Sequence, residues 1–325
     1  MIEPYSYVWS KKAMRRRRER DQYRLLSKGY YHLSTDGWKE GFLFHTKEQY
    51  AYGMTLIGLL TILFDVKIYT FTLMPNHIHI ILSGTGGECL KAFDYFCKMI
   101  SAHLVKDGYL PLPEDYWFKL IAIENPEQMK NNIIYVDRNP YERQICVPCG
   151  YPWGSAYLHF SFIKNMIPGR RADSFSHREL DKLTRTRKEI PPHWLFHQEY
   201  GLLPSSFVDL SLFSKLFHSP KEYESRLVKD YESFVEVART LEEVPEYSDV
   251  EVKIIVNQIL QNSFSGRKMS KLTNDEKGRL VTLLTKNYAM TESLVAQALN
   301  ISEYMVRQFL HAKDYGNQRA TSRAK

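Results

Sequence analysis

Residues 66–82 constrain the fold most. Val66 to Leu73 and His77 to Leu82 are runs rich in β-branched and aromatic residues, and only Met74-Pro75-Asn76 separates them. Such runs favour extended backbone, and a proline in so short a connection enforces a tight turn, so the segment reads as two strands joined as a hairpin. Side chains alternate across a strand, which places His77 and His79 on one face of the second run. Two imidazoles at that spacing are able to share one metal ion. The same pair also fits an ordinary half-buried strand, so alone it does not decide the chemistry.

The elements around the hairpin follow from local signals. Residues 1–28 form a basic lead-in with helical character from Lys11 to Leu26. Its Arg15-Arg16-Arg17-Arg18 run reads equally well as a DNA-phosphate-binding cluster or as a solvated charge run. Tyr30 to Thr35 predicts a first strand ended by Asp36-Gly37, and Thr46 with Gln49 predicts a capped helix reaching Leu63. Glu88 to Lys106 predicts a second helix and Tyr116 to Ile123 a fourth strand. Asn125-Pro126 opens a further helix as cap and first residue, and Pro140 is expected to end it near Asn139. The order βαββαβ plus a helix is an α+β pattern, a ferredoxin-like or RRM-like antiparallel sheet with helices.

Tyr135 and Asn139, four residues apart, fall on one face of that last helix. A phenol with an ordinary pKa of about 10 attacks poorly at neutral pH. A divalent cation helps by drawing charge from a scissile phosphate. Two neutral imidazoles hold such an ion without cancelling its charge, and an amide carbonyl completes the set. A covalent tyrosyl link conserves the phosphodiester, so strand transfer needs no nucleotide hydrolysis.

These residues together resemble the HUH-type single-tyrosine transposases, in particular their REP-associated tyrosine transposase branch. The segments that carry the resemblance are Tyr30 to Gly37, Leu73 to Ile81, Tyr135 to Pro140 and Tyr151-Pro152-Trp153-Gly154-Ser155-Ala156-Tyr157, within roughly residues 28–160. The resemblance implies that His77, His79 and Asn139 bind Mg²⁺ or Mn²⁺. It also implies that Tyr135 attacks a 5′ phosphate in single-stranded DNA, leaving a 5′-phosphotyrosine and a free 3′-OH. Trp117-Phe118-Lys119-Leu120 matches the family's segment before the catalytic helix only loosely, and Tyr141-Glu142-Arg143 departs from its pattern after the proline.

Other chemistries fit less well. A histidine-triad nucleotide transferase needs a third alternating histidine where Ile81 stands, and a two-histidine phosphoesterase needs a second copy of the His32-Leu33-Ser34 type of motif. Cys146-Val147-Pro148-Cys149 has the spacing of a zinc knuckle or redox pair, but two further ligands are not evident and a plain loop is the simpler reading.

The C-terminal region predicts three short helices, from Thr273 to Lys286, Thr291 to Leu299 and Ser302 to His311. The junction Ala298-Leu299-Asn300-Ile301-Ser302 suits a helix-turn-helix. Its last helix would bury Met305, Val306, Phe309 and Leu310 and turn Glu303, Tyr304, Arg307 and Gln308 toward a major groove, with Tyr304, Arg307 and Gln308 as DNA contacts. A three-helix packing unit without DNA is the alternative.

Composition bounds these readings. A chain of 325 residues with 44% hydrophobic residues supports a folded core and two domains, and a net charge of +7 favours polyanionic partners. Four cysteines suit a reducing compartment, and no export signal is read at the N-terminus. The apolar run Met54 to Phe64 is too short to span a bilayer, so a cytoplasmic protein without membrane contact is expected. The expected organisation is a basic arm (1–28), a nuclease domain (29–160), a linker and helical extension (161–248), a helix-turn-helix domain (249–313) and a tail (314–325). The expected activity is metal-dependent cleavage and rejoining of single-stranded, hairpin-forming DNA by a monomer or homodimer, with duplex DNA a further partner of the C-terminal module. The alternative is a non-catalytic DNA-binding regulator.

Overall fold

The computed structural model describes residues 11–35, 41–113, 116–142, 150–159, 167–229, 231–245, 247 and 249–311. It is a mixed α/β chain with a small antiparallel sheet and many helices, and it divides into two compact units. One comprises Met1–Tyr141 with Cys146–Leu227, the other Glu142–Ile145 with Val228–Lys325. Among the described residues, no helix is long and apolar enough to cross a membrane. Cys146 and Cys149 lie outside the described residues.

The first unit runs α1 (Lys11–Leu25), β1 (Gly29–Thr35), α2 (Lys47–Leu63), β2 (Lys67–Leu73), β3 (Ile78–Gly84), α3 (Gly86–Lys106), β4 (Phe118–Ile123) and α4 (Pro126–Glu142). The sheet order is β2-β3-β1-β4, every pair antiparallel. Both faces of the sheet are covered, which is why β1, β2 and β3 are buried along most of their length. On one face Leu33, Ile78, Ile80 and Leu82 share a buried cluster with Ile57 and Leu60 of α2 and Phe93 and Phe96 of α3. On the other, Ile81 and Ile123 pack with Met129, Ile133 and Val136 of α4.

The β2–β3 connection is tight, as the proline predicts. Met74 N–H donates to the His77 carbonyl at 2.9 Å, and the Pro75 carbonyl accepts from the amides of Leu43 and Phe44 at 2.7 and 3.3 Å. The Thr35 hydroxyl accepts from Ile78 N–H at 2.9 Å, tying the start of β3 to the end of β1.

The free edge of β2 is covered by residues 151–155. Leu73 N–H donates to Trp153 O at 2.8 Å, Ser155 N–H to Phe71 O at 3.1 Å, and the Tyr151 hydroxyl to Leu73 O at 2.6 Å. An otherwise open ladder edge is thereby satisfied. Gly154 permits this approach, because a Cβ there would lie 2.9 Å from Phe71 O. Gly154→Val is expected to destabilise the first unit by about 1–3 kcal/mol through overpacking. Urea unfolding followed by tryptophan fluorescence checks this, since Trp117, Trp153 and Trp194 belong to that unit and residues 228–325 contain no tryptophan. An unchanged midpoint would mean that the edge contact contributes nothing.

Three differences from the sequence expectation have physical causes. First, α4 does not end near Asn139 but continues through Pro140 to Glu142. Proline lacks the N–H that would bond the Val136 carbonyl, and the Thr72 hydroxyl donates to that carbonyl instead, at 2.9 Å. Second, residues 161–227, expected as linker and extension, belong to the first unit. Short strands β5 (Arg170–Arg171), β6 (Leu195–His197) and β7 (Gly201–Leu202) form a second sheet, and Trp194, Phe196 and Leu202 enter the same core as α2 and α3. Third, the helical stretch expected within residues 161–248 is broken, with Ser211–Leu216, Pro220–Lys229 and Tyr231–Thr240 as separate helices. Pro220 starts the second of these and pushes the preceding residue out of helical conformation. In the described part of the basic lead-in, Arg20 of α1 makes a bidentate ion pair with Asp94 of α3, and Gly86 N–H donates to Leu26 O at 3.0 Å.

The second unit is helical where described, with Tyr231–Thr240, Asp249–Ser263, Asn274–Lys286, Glu292–Leu299 and residues 303–311. Its core joins Ile255, Ile259, Leu280, Leu284, Val295, Leu299 and Val306. Thr273 and Glu276 form a capping box, as the sequence predicts for a helix start there, and Asn300 ends Glu292–Leu299 in left-handed conformation (φ 51°, ψ 49°).

Candidate active site

The α4-facing side of the sheet carries polar groups where the opposite side is apolar. In the β1–β3 register Ser34 is opposite His79 and His32 is opposite Ile81, so His32 and His79 are diagonal neighbours on one face. His77 precedes the strand and is positioned by the hairpin turn. From the helix, Tyr135 and Asn139 come down one turn apart onto this face. All five side chains are buried: His32 and His79 are 0% exposed, Tyr135 2%, and His77 and Asn139 4%.

Both candidate ligand atoms meet at one amide. His77 Nε2 is 3.1 Å from Asn139 Oδ1, and His79 Nε2 is 3.2 Å from Asn139 Nδ2. The ring of Tyr135 stands edge-on to His79 (centroids 5.4 Å apart) and to His32 (5.9 Å). The sequence-derived residues Tyr135, His77, His79 and Asn139 are therefore brought together, although they come from two elements.

His32 joins them, which the sequence reading did not foresee. Its Nε2 lies 3.2 Å from His79 Nδ1, and its Nδ1 lies 2.7 Å from Asn132 Oδ1. Its position in β1 was visible, but its role depends on the β1–β3 register, which local sequence does not report. Burial pushes the His32 pKa down from 6.5 to about 4, against the opposing pull of the Asn132 hydrogen bond. Between those two values the unfolded chain binds the extra proton, so stability falls as pH drops through this window. The full cost, reached near pH 4, is about 3 kcal/mol. The expected result, in EDTA, is a urea midpoint that declines from pH 7 to pH 4 more steeply in the parent chain than in His32→Gln. Parallel profiles would remove His32 as the cause.

Two imidazoles and an amide form a borderline donor set able to hold a divalent ion. Two imidazole nitrogens and an amide oxygen carry no charge, so an ion held by them would keep its own. The third protein donor beside the two imidazoles is the Asn139 amide, within 3.1–3.2 Å of both Nε2 atoms. His77 sits between two amide oxygens, with Nδ1 2.8 Å from Asn76 Oδ1 as well as Nε2 near Asn139 Oδ1. A neutral imidazole donates to only one of these, so the other contact leaves a ring nitrogen facing an oxygen, where His77 and Asn139 could both serve as ligands to a cation.

Asp137 anchors the helix from its other side. Its carboxylate accepts from the Thr70 hydroxyl at 2.6 Å and the Tyr223 hydroxyl at 2.7 Å, and it lies 3.1 Å from His159 Nε2. Thr70 also bonds Ser155 at 2.9 Å, which connects α4 to the segment covering the β2 edge.

The remaining sequence-derived residues lie elsewhere. Arg17 and Arg18 are exposed on α1, while the side chains of Arg15 and Arg16 lie outside the described ones. In the second unit Tyr304, Arg307 and Gln308 are exposed on residues 303–311 and Val306 is buried. Met305, expected in the core, is instead 41% exposed, because the buried face of this short helix centres on Val306 with Phe309 and Leu310 half-buried. Arg307 is engaged by the carboxylates of Glu292 (2.7 Å) and Glu303 (3.2 Å).

No family model matches the chain, and no curated protein matches it. Among solved structures, the chain is similar to a REP-associated tyrosine transposase bound to a REP hairpin. The identity is 16%, the TM-score 0.35, and the match covers 42% of this chain and 83% of that one.

Proposed function

We propose that this chain is a metal-dependent tyrosine transposase, an endonuclease and strand transferase that cleaves and rejoins single-stranded DNA at hairpin-forming sequences. Its first unit would be a ferredoxin-like or RRM-like HUH domain, and the second would carry a helix-turn-helix. The observation that carries the reading is the meeting of His77 Nε2 and His79 Nε2 at the amide of Asn139, with Tyr135 one turn away on the same helix face. The sequence resemblance in four ordered segments supports it.

In this reading His77, His79 and Asn139 hold Mg²⁺ or Mn²⁺. The ion, when bound, supplies positive charge against the scissile phosphate. The Tyr135 oxygen loses its proton and forms a bond to phosphorus while the bond from phosphorus to the 3′ oxygen breaks. The 3′ oxygen takes up a proton, leaving a 5′-phosphotyrosine. Attack by a 3′-OH on that linkage reverses the step and joins strands. Exposed Arg17 and Arg18 would contact backbone phosphates. Tyr304, Arg307 and Gln308 would face duplex DNA, with Arg307 exchanging its two glutamates for DNA acceptors.

One observation favours a second reading, a DNA-binding regulator without catalysis: Tyr135 is only 2% exposed, so its hydroxyl reaches DNA only if the surroundings open. Incubation with end-labelled single-stranded hairpin DNA separates the two. A denaturation-resistant protein–DNA adduct that forms with Mn²⁺ and disappears with EDTA is expected. DNA binding without cleavage or adduct would favour the regulator, and cleavage without adduct would point to a phosphoesterase.

A further inference from the structure

We propose that His32, oriented by Asn132, is a positioning residue that fixes the ring tautomer of His79, so that the Nε2 lone pair of His79 points to the amide of Asn139. The inference rests on the metal-site reading for its purpose, but not for its geometry.

The hydrogen-bond chain has a defined direction because its outer end is anchored. Asn132 Nδ2 donates to the Gln128 carbonyl at 2.8 Å, one turn back along α4, so the oxygen of that amide is the atom facing His32 Nδ1. An oxygen acceptor requires the proton of His32 to sit on Nδ1. In a fully buried neutral ring Nε2 is then an acceptor, and its partner 3.2 Å away, His79 Nδ1, carries the proton between them. His79 Nε2 is left as a lone pair. It accepts from Asn139 Nδ2 at 3.2 Å, which turns Asn139 Oδ1 toward His77 Nε2.

Each link follows from the one before, and the inner end presents the nitrogen lone pair and the amide oxygen that a cation needs. Imidazole ligands are commonly held this way, with the second ring N–H donated to an outer partner that sets tautomer and orientation. The outer partner here is a second imidazole rather than a carboxylate, so the site gains orientation without a neutralising charge. Leucine at position 32 would leave the buried His79 Nδ1–H without its acceptor and allow the proton to move to Nε2, where it would block the ligand position.

Proton–nitrogen correlation spectra of the full chain labelled with ¹⁵N-histidine test this directly. The His79 ring is assigned by its loss in His79→Gln. In the metal-free parent chain His79 is expected as the Nδ1–H tautomer, and in His32→Leu as a mixture or as Nε2–H. The Nε2–H form in the parent chain would overturn the proposal.

Titration of Mn²⁺, followed by the paramagnetic resonance of the free ion, supplies the second readout. His32→Leu is expected to lose about 10–100-fold in affinity. His32→Gln places an amide oxygen where Nε2 stood and is expected to return to within about threefold of the parent. Equal losses in both variants would reduce His32 to packing and overturn the proposal. Should His32→Leu fail to fold, Asn132→Leu removes the anchor from a half-buried position and is expected to mix the His79 tautomers. An unchanged spectrum there would count against the chain of bonds. If the parent shows the Nδ1–H tautomer yet binds no Mn²⁺, the metal-site reading fails while the positioning role stands.

Discussion

Covalent capture of single-stranded hairpin DNA is expected to fall by about 10³-fold or more in Tyr135→Phe, with no adduct left on a denaturing gel. The substitution removes one oxygen and leaves the ring that stands edge-on to His79 and His32, so neither the helix nor the histidine pair loses its packing. Affinity for Mn²⁺ should therefore stay within a few-fold of the parent, which separates loss of the nucleophile from loss of the metal. Removal of a ligand should do the reverse. His79→Ala is expected to lose metal binding and adduct together. A phenylalanine variant that still forms the adduct would move the nucleophile to another side chain and leave the arrangement on α4 without its assigned purpose.

The largest stability effect is expected at Asp137. Asp137→Ala should lower the stability of the first unit by about 3–5 kcal/mol, because two buried hydroxyls lose their common acceptor and a fully buried carboxylate is removed from beside an imidazole. The hydroxyls are those of Thr70 and Tyr223, His159 Nε2 lies 3.1 Å from the carboxylate, and the carboxylate itself is 0% exposed. Asp137→Asn keeps the volume and one oxygen, so it should recover part of the loss. The urea midpoint of tryptophan fluorescence measures both. A change below about 1 kcal/mol for the alanine variant would show that water replaces the carboxylate at little cost. The result bears on the site because Asp137 lies between Tyr135 and Asn139 in sequence and holds the same helix from another side.

What the sequence made legible was local. The hairpin at Pro75, the capped start of α2, the proline-opened α4 and the four-residue step from Tyr135 to Asn139 all depend on neighbours within one turn or one strand. What it concealed was register and long-range packing. His32 sits in a strand that the sequence predicts, yet its contact with His79 arises only in the register that sets it opposite Ile81, two residues from His79. Residues 161–227 looked like linker because their strands are two or three residues long, too short for any period to show. They are held by Trp194, Phe196 and Leu202 entering the core built from the sheet, α2 and α3. Met305 lies outside the core for a related reason. A single buried turn around Val306 leaves no room for a broad apolar stripe, and the hydrophobic pattern alone did not say which edge would be left out.

Pro140 has a consequence for how precisely the site is held. A helix lying on a sheet is free to creep along its axis, and one residue of slip would carry Asn139 about 1.5 Å forward and about 100° around. The carbonyl released by the proline is gripped from β2 by Thr72, so sliding α4 would break this bond together with the one from Thr70 to Asp137. A residue that ordinarily ends helices thus serves as the registration pin that stops α4 at the step where Asn139 meets both histidines.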